Sequence, residues 1–139
     1  VAVGGMIYLF LLQWPWQAGV LGLQVGLHGT VLIAINNLRD RETDIVTNKK
    51  TLAVRLGVAF SRYEIAFLLA APFVLSFVWL QQNHYWAALL PLFVLKPAWL
   101  LAEDVFSTDP SPVYNDFLAR AAKVHLLFAG LTSVGFLLK

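Results

Sequence analysis

Long apolar stretches separated by short polar ones dominate this chain. The longest lie at residues 18–35, 61–80, 85–101 and 117–138, and each approaches the roughly 20 residues that an α-helix needs to cross the hydrocarbon core of a bilayer. Residues 1–12 are equally apolar but too short to span alone, so we read them as the outer part of a truncated helix. The pattern predicts an all-α, polytopic transmembrane helix bundle of about five helices.

Composition supports this class and excludes others. Hydrophobic residues make up 59% of the chain and charged residues 13%, which is outside the range of soluble domains. The net charge of +2 is too small to indicate a nucleic-acid partner, and the lack of cysteine excludes disulfides and thiolate sites. At 139 residues we expect one transmembrane domain, residues 1–139.

Several local signals refine the helix boundaries. Ser61 and Glu64 form an S-x-x-E capping box, which predicts a helix start at Ser61. Pro72 predicts a kink, and the polar stretch 103–114 predicts a loop. Small residues spaced by three or four predict close helix packing at Gly19, Gly22, Gly26 and Gly29.

Charge predicts the topology. The segments 36–62 and 102–123 hold eight of the ten Lys and Arg residues, whereas 13–17 and 81–84 hold none. The positive-inside rule therefore puts both charged segments on the cytoplasmic side.

One dense polar segment, residues 36–57, interrupts the apolar pattern. Asn36, Asp40 and Asp44 recur every four residues, so a continuing helix would carry them on one face. Two carboxylates suit Mg²⁺, which completes its coordination with water and substrate phosphates. The segment also carries five cations suited to phosphate oxygens, Arg39, Arg41, Lys49, Lys50 and Arg55. This combination predicts a metal–diphosphate site. The alternative is an ordinary cytoplasmic loop with solvated charges.

The second half of this segment has the features of a lid. Residues 45–50 are expected to leave the helix, and Thr51 can cap a short helix that Gly57 ends. Such a piece would lie over the site and bring Lys49, Lys50 and Arg55 to the diphosphate. A simple surface turn is the alternative reading.

Several polar or charged residues outside the 36–57 segment, including Tyr114, keep open roles. His28 either bonds a neighbouring helix or contacts substrate, with the helix contact favoured. Lys96 either snorkels to the cytoplasmic surface or reaches toward an acidic substrate group. His125 reads as a packed interhelical residue. Asn115 has no role that its chemistry alone assigns.

Two motifs carry a family resemblance. The pattern N-N-x-R-D-x-x-x-D-x-x-x-x-K-x-T-L-A-V-x-L-G in 36–57 resembles the second aspartate-rich motif of the UbiA superfamily of membrane prenyltransferases. The double Asn and the T-L-A-V-R-L-G ending look like its 1,4-dihydroxy-2-naphthoate branch, as does Y-N-D-F-L-A-R-A-A-K-V-H-L-L-F-A-G-L near the end. Asn48 stands where the family usually has Gly, and a left-handed backbone would accommodate both.

The resemblance implies a function and a set of site residues. Asp40 and Asp44 would be the catalytic, metal-binding pair for Mg²⁺. The isoprenyl diphosphate would be bound by Asn36, Asn37, Arg39, Lys49, Lys50 and Arg55. The reaction would transfer a polyprenyl group to 1,4-dihydroxy-2-naphthoate with decarboxylation, in menaquinone or phylloquinone synthesis. The protein would be integral to a bacterial inner membrane or a photosynthetic-organelle membrane.

The resemblance also implies incompleteness. The family has a first aspartate-rich motif that is absent from these residues, so the chain resembles the C-terminal part of a nine-helix fold. We expect a missing N-terminal half to carry that motif and this segment alone to be inactive. The alternatives are another UbiA-type aromatic prenyltransferase, or a non-enzymatic membrane helix-packing or transport subunit.

Overall fold

The computed structural model describes residues 2–138, and these are almost entirely helical. The elements are α1 (Ala2–Leu11), α2 (Trp16–Arg39), α3 (Arg41–Val46), α4 (Leu52–Leu75), α5 (Phe77–Gln81), α6 (Tyr85–Leu89), a 3-10 segment (Leu90–Val94), α7 (Leu95–Ser107) and α8 (Tyr114–Leu137). Val1, the first residue of the predicted truncated helix, lies outside the described residues.

Four stretches of the described chain are long and apolar enough to cross a membrane, namely Trp16–Arg39, Leu52–Gln81, Tyr85–Ser107 and Tyr114–Leu137. The second contains α4 and α5. The third contains α6, the 3-10 segment at Pro91 and α7. The predicted all-α, polytopic bundle is therefore confirmed.

These four spans pack as a ring around one apolar core. α2 packs against α4 and α8, and α7 completes the ring between α4 and α8. Ile35, Leu38, Ile65 and Leu101 are fully buried at its centre. Large apolar side chains also cover much of the outer face, including Ile33, Phe67, Trp99 and Leu126, as lipid contact requires.

The glycine pattern predicts only part of the close packing. A side chain at Gly22 would meet the backbone of Gly4 in α1, and one at Gly29 would meet His125 in α8. A Cβ added at Gly19 or Gly26 would meet nothing within 4 Å beyond its own helix backbone in the described part of the chain. The tightest approach is at Gly135, where an added Cβ would collide with the backbone of Ala87.

The predicted helix start at Ser61 is wrong. Gly57 breaks the helical geometry with φ 84° and ψ 176°, and the long part of α4 begins directly after it. Ser61 therefore lies one turn inside the helix, where its buried hydroxyl donates to the Gly57 carbonyl at 3.2 Å. This back-bond to residue i−4 occupies the hydroxyl that the capping box would use.

The predicted loop at 103–114 is also too long, because α7 continues to Ser107. Asp104 explains the difference. Its carboxylate accepts a 2.6 Å hydrogen bond from Arg120 of α8, so the polar residues of the last α7 turn are used between helices. Only residues 108–113 remain as the connection.

Polar contacts inside the membrane-spanning region hold α2 against the proline-containing part of α4. Gln24 donates to the Pro72 carbonyl at 2.9 Å and to the Ser76 hydroxyl at 3.0 Å, and it accepts from Trp79 at 2.9 Å. His28 contacts the Leu69 carbonyl at 3.2 Å, which confirms the predicted bond to a neighbouring helix. We call these the interior polar contacts. They satisfy backbone groups near a helix-interior proline, as membrane helices require.

Candidate active site

The polar end of α2 keeps the spacing that the sequence predicts, but with a break in the helix. Asp40 leaves helical geometry (φ −91°, ψ 6°), and α3 starts at Arg41. The Asp40 amide still donates to the Asn36 carbonyl at 3.0 Å, and the Asp44 amide donates to the Asp40 carbonyl at 2.8 Å. Asn36, Asp40 and Asp44 therefore follow one another at single-turn intervals although the predicted continuous helix is interrupted.

Arg39 is the centre of the site. Its guanidinium binds both carboxylate oxygens of Asp40, at 2.7 and 2.8 Å, and donates to the Asn36 side chain at 2.8 Å. A further bond of 2.5 Å reaches the side chain of Asn115 in α8. We call these four residues the Arg39 network. The structure thus brings three predicted site residues together and adds Asn115.

The electrostatics of the network keep Asp40 charged. The hydrogen bonds from Arg39 lower the pKa of the Asp40 carboxyl below its ordinary value, partial desolvation opposes the shift, and the charges of Arg39 and Lys49 add to the lowering. The Asp40 side chain remains 34% exposed. An ionised and accessible carboxylate at this position can bind a cation at neutral pH.

Asp44 differs from Asp40 in its burial. The residue is only 5% exposed, and Lys49 pairs with its Oδ1 at 3.2 Å. Its Oδ2 is buried and has no hydrogen-bond partner among residues 2–138. A buried, unsatisfied carboxylate oxygen is costly, and such an oxygen is a suitable ligand for a cation.

Helix α3 continues to Val46, so the predicted departure from the helix at residue 45 is wrong by two residues. The backbone after α3 otherwise has the predicted turns. Asn48 is left-handed (φ 57°), which confirms the reading of this position. Thr51 caps the next helix by accepting from the Val54 amide at 3.3 Å, and Gly57 ends its first part. Arg41 donates to the Ala53 carbonyl at 3.1 Å. We call residues 47–57 the lid segment, and the bond from Arg41 connects it to α3.

Four predicted substrate-binding residues lie outside the Arg39 network, and of these Lys49 pairs with Asp44. Lys50 and Arg55 are exposed, and Asn37 is partly exposed. None of the three makes a side-chain hydrogen bond or ion pair with other residues in 2–138. Lys50 and Arg55 therefore lie on the lid segment as solvent-facing cations.

Sequence reasoning missed a supporting cluster at the same end of the bundle. Arg62, five residues after Gly57, donates to the Thr108 carbonyl at 2.8 Å. Buried Tyr114 donates to the same carbonyl at 3.0 Å. Tyr114 directly precedes Asn115, so this cluster fixes the first turn of α8 beside the Arg39 network. The Y-N-D motif was the only sequence signal for it.

The residues present could supply two carboxylate ligands to a magnesium ion. No cluster of three or more His, Cys, Asp or Glu side chains occurs in the described part of the chain, so the site offers Asp40 and Asp44 alone. Mg²⁺ commonly uses one or two carboxylates together with water and substrate phosphates. The unpaired Oδ2 of Asp44 is consistent with such a ligand.

Comparison with known proteins identifies the family. The model of the UbiA prenyltransferase family matches residues 1–137. The chain belongs to this family. No solved structure matches it.

Similar curated proteins are longer than this chain. A 1,4-dihydroxy-2-naphthoate octaprenyltransferase of Mycobacterium leprae is 42% identical over 122 residues, which cover 84% of this chain and 40% of that protein. A protein of the same name from Haemophilus influenzae is 34% identical over 99% of this chain and 45% of its own length. The chain therefore spans less than half the length of these UbiA relatives.

Proposed function

We propose that this UbiA-family chain belongs to an enzyme that transfers a polyprenyl group from an isoprenyl diphosphate to 1,4-dihydroxy-2-naphthoate in menaquinone or phylloquinone synthesis. The acceptor in this proposal is the one for which its relatives are named. The observation that carries the proposal is the pairing of two carboxylates, Asp40 and Asp44, with separate cations at the polar end of α2.

In the proposed reaction the diphosphate head group binds at the end of α2 and the lid segment covers it. Arg39 and Lys49 lie beside the carboxylates, where their N–H groups can donate to phosphate oxygens. Lys50 and Arg55 face solvent on the lid segment and add positive charge as the segment closes. The cations offset negative charge on the leaving diphosphate as the prenyl C–O bond breaks.

Asp40 and Asp44 would hold Mg²⁺, which supplies Lewis-acid stabilisation of the diphosphate. The allylic carbon gains a C–C bond to an electron-rich ring carbon of the naphthoate. The carboxylate leaves as carbon dioxide, and the diphosphate leaves with the electrons of the C–O bond. The apolar spans exclude water from the allylic cation. We place this end of the bundle on the cytoplasmic side of the membrane.

The test uses the full-length protein in membranes with labelled octaprenyl diphosphate and 1,4-dihydroxy-2-naphthoate. We expect Mg²⁺-dependent product with the wild type and none with Asp40→Asn. Glu103→Gln is the matched control, because Glu103 is an exposed carboxylate of α7 whose side chain makes no hydrogen bond or ion pair with other residues in 2–138.

Parallel reactions with hydroxybenzoate and homogentisate test the acceptor. Product with one of these instead of the naphthoate would reject the acceptor and retain the diphosphate chemistry. No product with any acceptor, from folded full-length protein, would reject the enzyme.

A further inference from the structure

The hydrogen bonds of Arg39 leave one of its donors available. A guanidinium has five N–H groups. Nε donates to Asp40, and Nη2 donates to Asp40 and Asn36. Nη1 makes one bond, to Asn115. One N–H of Nη1 is therefore without a hydrogen-bond partner among residues 2–138.

The two edges of this guanidinium are held differently. Nε and Nη2 make three bonds to Asp40 and Asn36, which are both within three residues of Arg39. Nη1 is held by a residue 76 positions away. Because the guanidinium is planar, its bonds to Asp40, Asn36 and Asn115 together fix the direction of the remaining N–H, and of these three partners only Asn115 lies on α8.

Asn115 itself is on a well-supported element. It lies in the first turn of α8, directly after Tyr114, whose ring is fully buried. The Tyr114 hydroxyl and Arg62 both donate to the Thr108 carbonyl. The position of Asn115 is thus set by the α7–α8 connection and by α4, independently of the aspartate-rich motif.

A purely structural role for this bond would contribute little. Asn115 is exposed, and polar contacts in exposed positions stabilise proteins weakly. The α2–α8 interface already has its own buried packing, including His28 against Phe128 with ring centroids 4.5 Å apart. The bond is therefore better explained by the orientation of Arg39 than by the attachment of α8.

We propose that Asn115 is a positioning residue that directs the remaining Nη1–H of Arg39 toward a phosphate oxygen of the prenyl donor. This inference rests on the proposed function. It makes the first turn of the last helix part of the diphosphate site, although it is remote in sequence from the aspartate-rich motif.

The test compares Asn115→Ala and Asn115→Asp with wild type in the full-length protein. Removing a hydrogen bond to a charged group predicts a loss of about tenfold or more in kcat/KM for the prenyl diphosphate. The KM for the aromatic acceptor should not change. Asn115→Asp keeps an oxygen acceptor for Nη1, so it should recover most of the loss.

Binding of an unreactive prenyl thiolodiphosphate, measured by calorimetry, gives a readout independent of turnover. We expect Asn115→Ala to weaken it by about tenfold. In an Arg39→Gln background, Asn115→Ala should have no further effect on either quantity, because Asn115 acts through Arg39. Asp116→Asn is the control, since the side chain of the neighbouring Asp116 pairs with Arg120, at 3.7 Å, and with no other side chain of the described residues.

Three results would overturn the inference. These are unchanged diphosphate kinetics and binding in Asn115→Ala, equal losses in Asn115→Ala and Asp116→Asn, or an undiminished effect of Asn115→Ala on top of Arg39→Gln. Asp40→Asn, measured in parallel, distinguishes a failure of the proposed function from a failure of this inference. If it is inactive while Asn115→Ala behaves as wild type, the proposed function stands and this inference fails. If Asp40→Asn is fully active, the proposed function fails first.

Discussion

α2 carries two polar regions that differ in how completely their hydrogen-bond donors and acceptors are paired. The interior polar contacts are neutral and buried, and Gln24 uses both its amide nitrogen and its oxygen on α4 and α5. The Arg39 network, about three turns further along the same helix, is charged and partly exposed. Within residues 2–138, it retains a guanidinium N–H without a partner, and Asp44 nearby retains a carboxylate oxygen without one.

This difference separates a packing role from a binding role. A polar group inside a membrane protein that already has its partners contributes to helix association. Charged groups that still have unused donors and acceptors can bind a ligand. His28 is the partial exception, because its Nδ1 is buried without a partner in the described residues; a neutral ring nitrogen costs less to leave unsatisfied than a charged oxygen.

The largest expected effect is the loss of activity in Asp40→Asn. The substitution removes the negative charge to which Arg39 donates, so kcat should fall by at least about a hundredfold. Thermal unfolding in detergent should shift little, because the side chain is partly exposed. A stability loss that accounted for the whole activity loss would make this region structural, like the interior contacts.

Gln24→Leu should have the opposite effect, because it should lower the stability of the protein and leave its activity unchanged. The change leaves the Trp79 indole N–H without its partner and removes one donor to the Ser76 hydroxyl, which keeps its own bond to the Pro72 carbonyl at 3.1 Å. We expect destabilisation of about 1–3 kcal/mol. Activity per folded molecule should stay near the wild-type value. Equilibrium unfolding and prenyl transfer on the same preparation measure both, and a change in the KM for diphosphate at full stability would contradict the packing role.

Gly57→Ala tests the lid segment. The φ of 84° with ψ of 176° is a region that is essentially restricted to glycine, and strain there costs about 1–3 kcal/mol. We expect the KM for prenyl diphosphate to rise about tenfold, because the first part of α4 is displaced. Gly26→Ala is the matched control: both sites have room for a methyl group, but only Gly57 has a positive φ. Equal effects of the two changes on KM would show that the positive φ of Gly57 is not the cause.

The smallest effect is expected for the exposed cations of the lid segment. Lys50→Gln and Arg55→Gln should each raise the KM for diphosphate by only a few fold, since exposed charges are strongly screened. The effect should shrink as salt increases, which a KM series over ionic strength would measure. A salt-independent loss as large as that of Asp40→Asn would mean that these cations bind the substrate directly.

Much of this architecture could be predicted from local sequence signals. Runs of apolar residues determine the four spans, since the α-helix is the only regular structure in which a single chain segment satisfies its backbone hydrogen bonds in lipid. Left-handed Asn48, the Thr51 cap and the break at Gly57 follow from the conformational preferences of single residues. The spacing of Asn36, Asp40 and Asp44 and the predicted contact of His28 with another helix also hold.

Other features were decided by contacts between residues distant in sequence. The predicted helix start at Ser61 is wrong because the helix begins directly after Gly57. The connection is shorter than the predicted loop 103–114 because Asp104 of α7 pairs with Arg120 of α8. No periodicity in the chain indicates that Asn115 meets Arg39 or that Tyr114 and Arg62 share the Thr108 carbonyl. The sequence by itself determined the spans and the chemistry of residues 36–57. Only the tertiary structure decided which donors and acceptors are left over for a ligand, because that depends on partners brought together by packing.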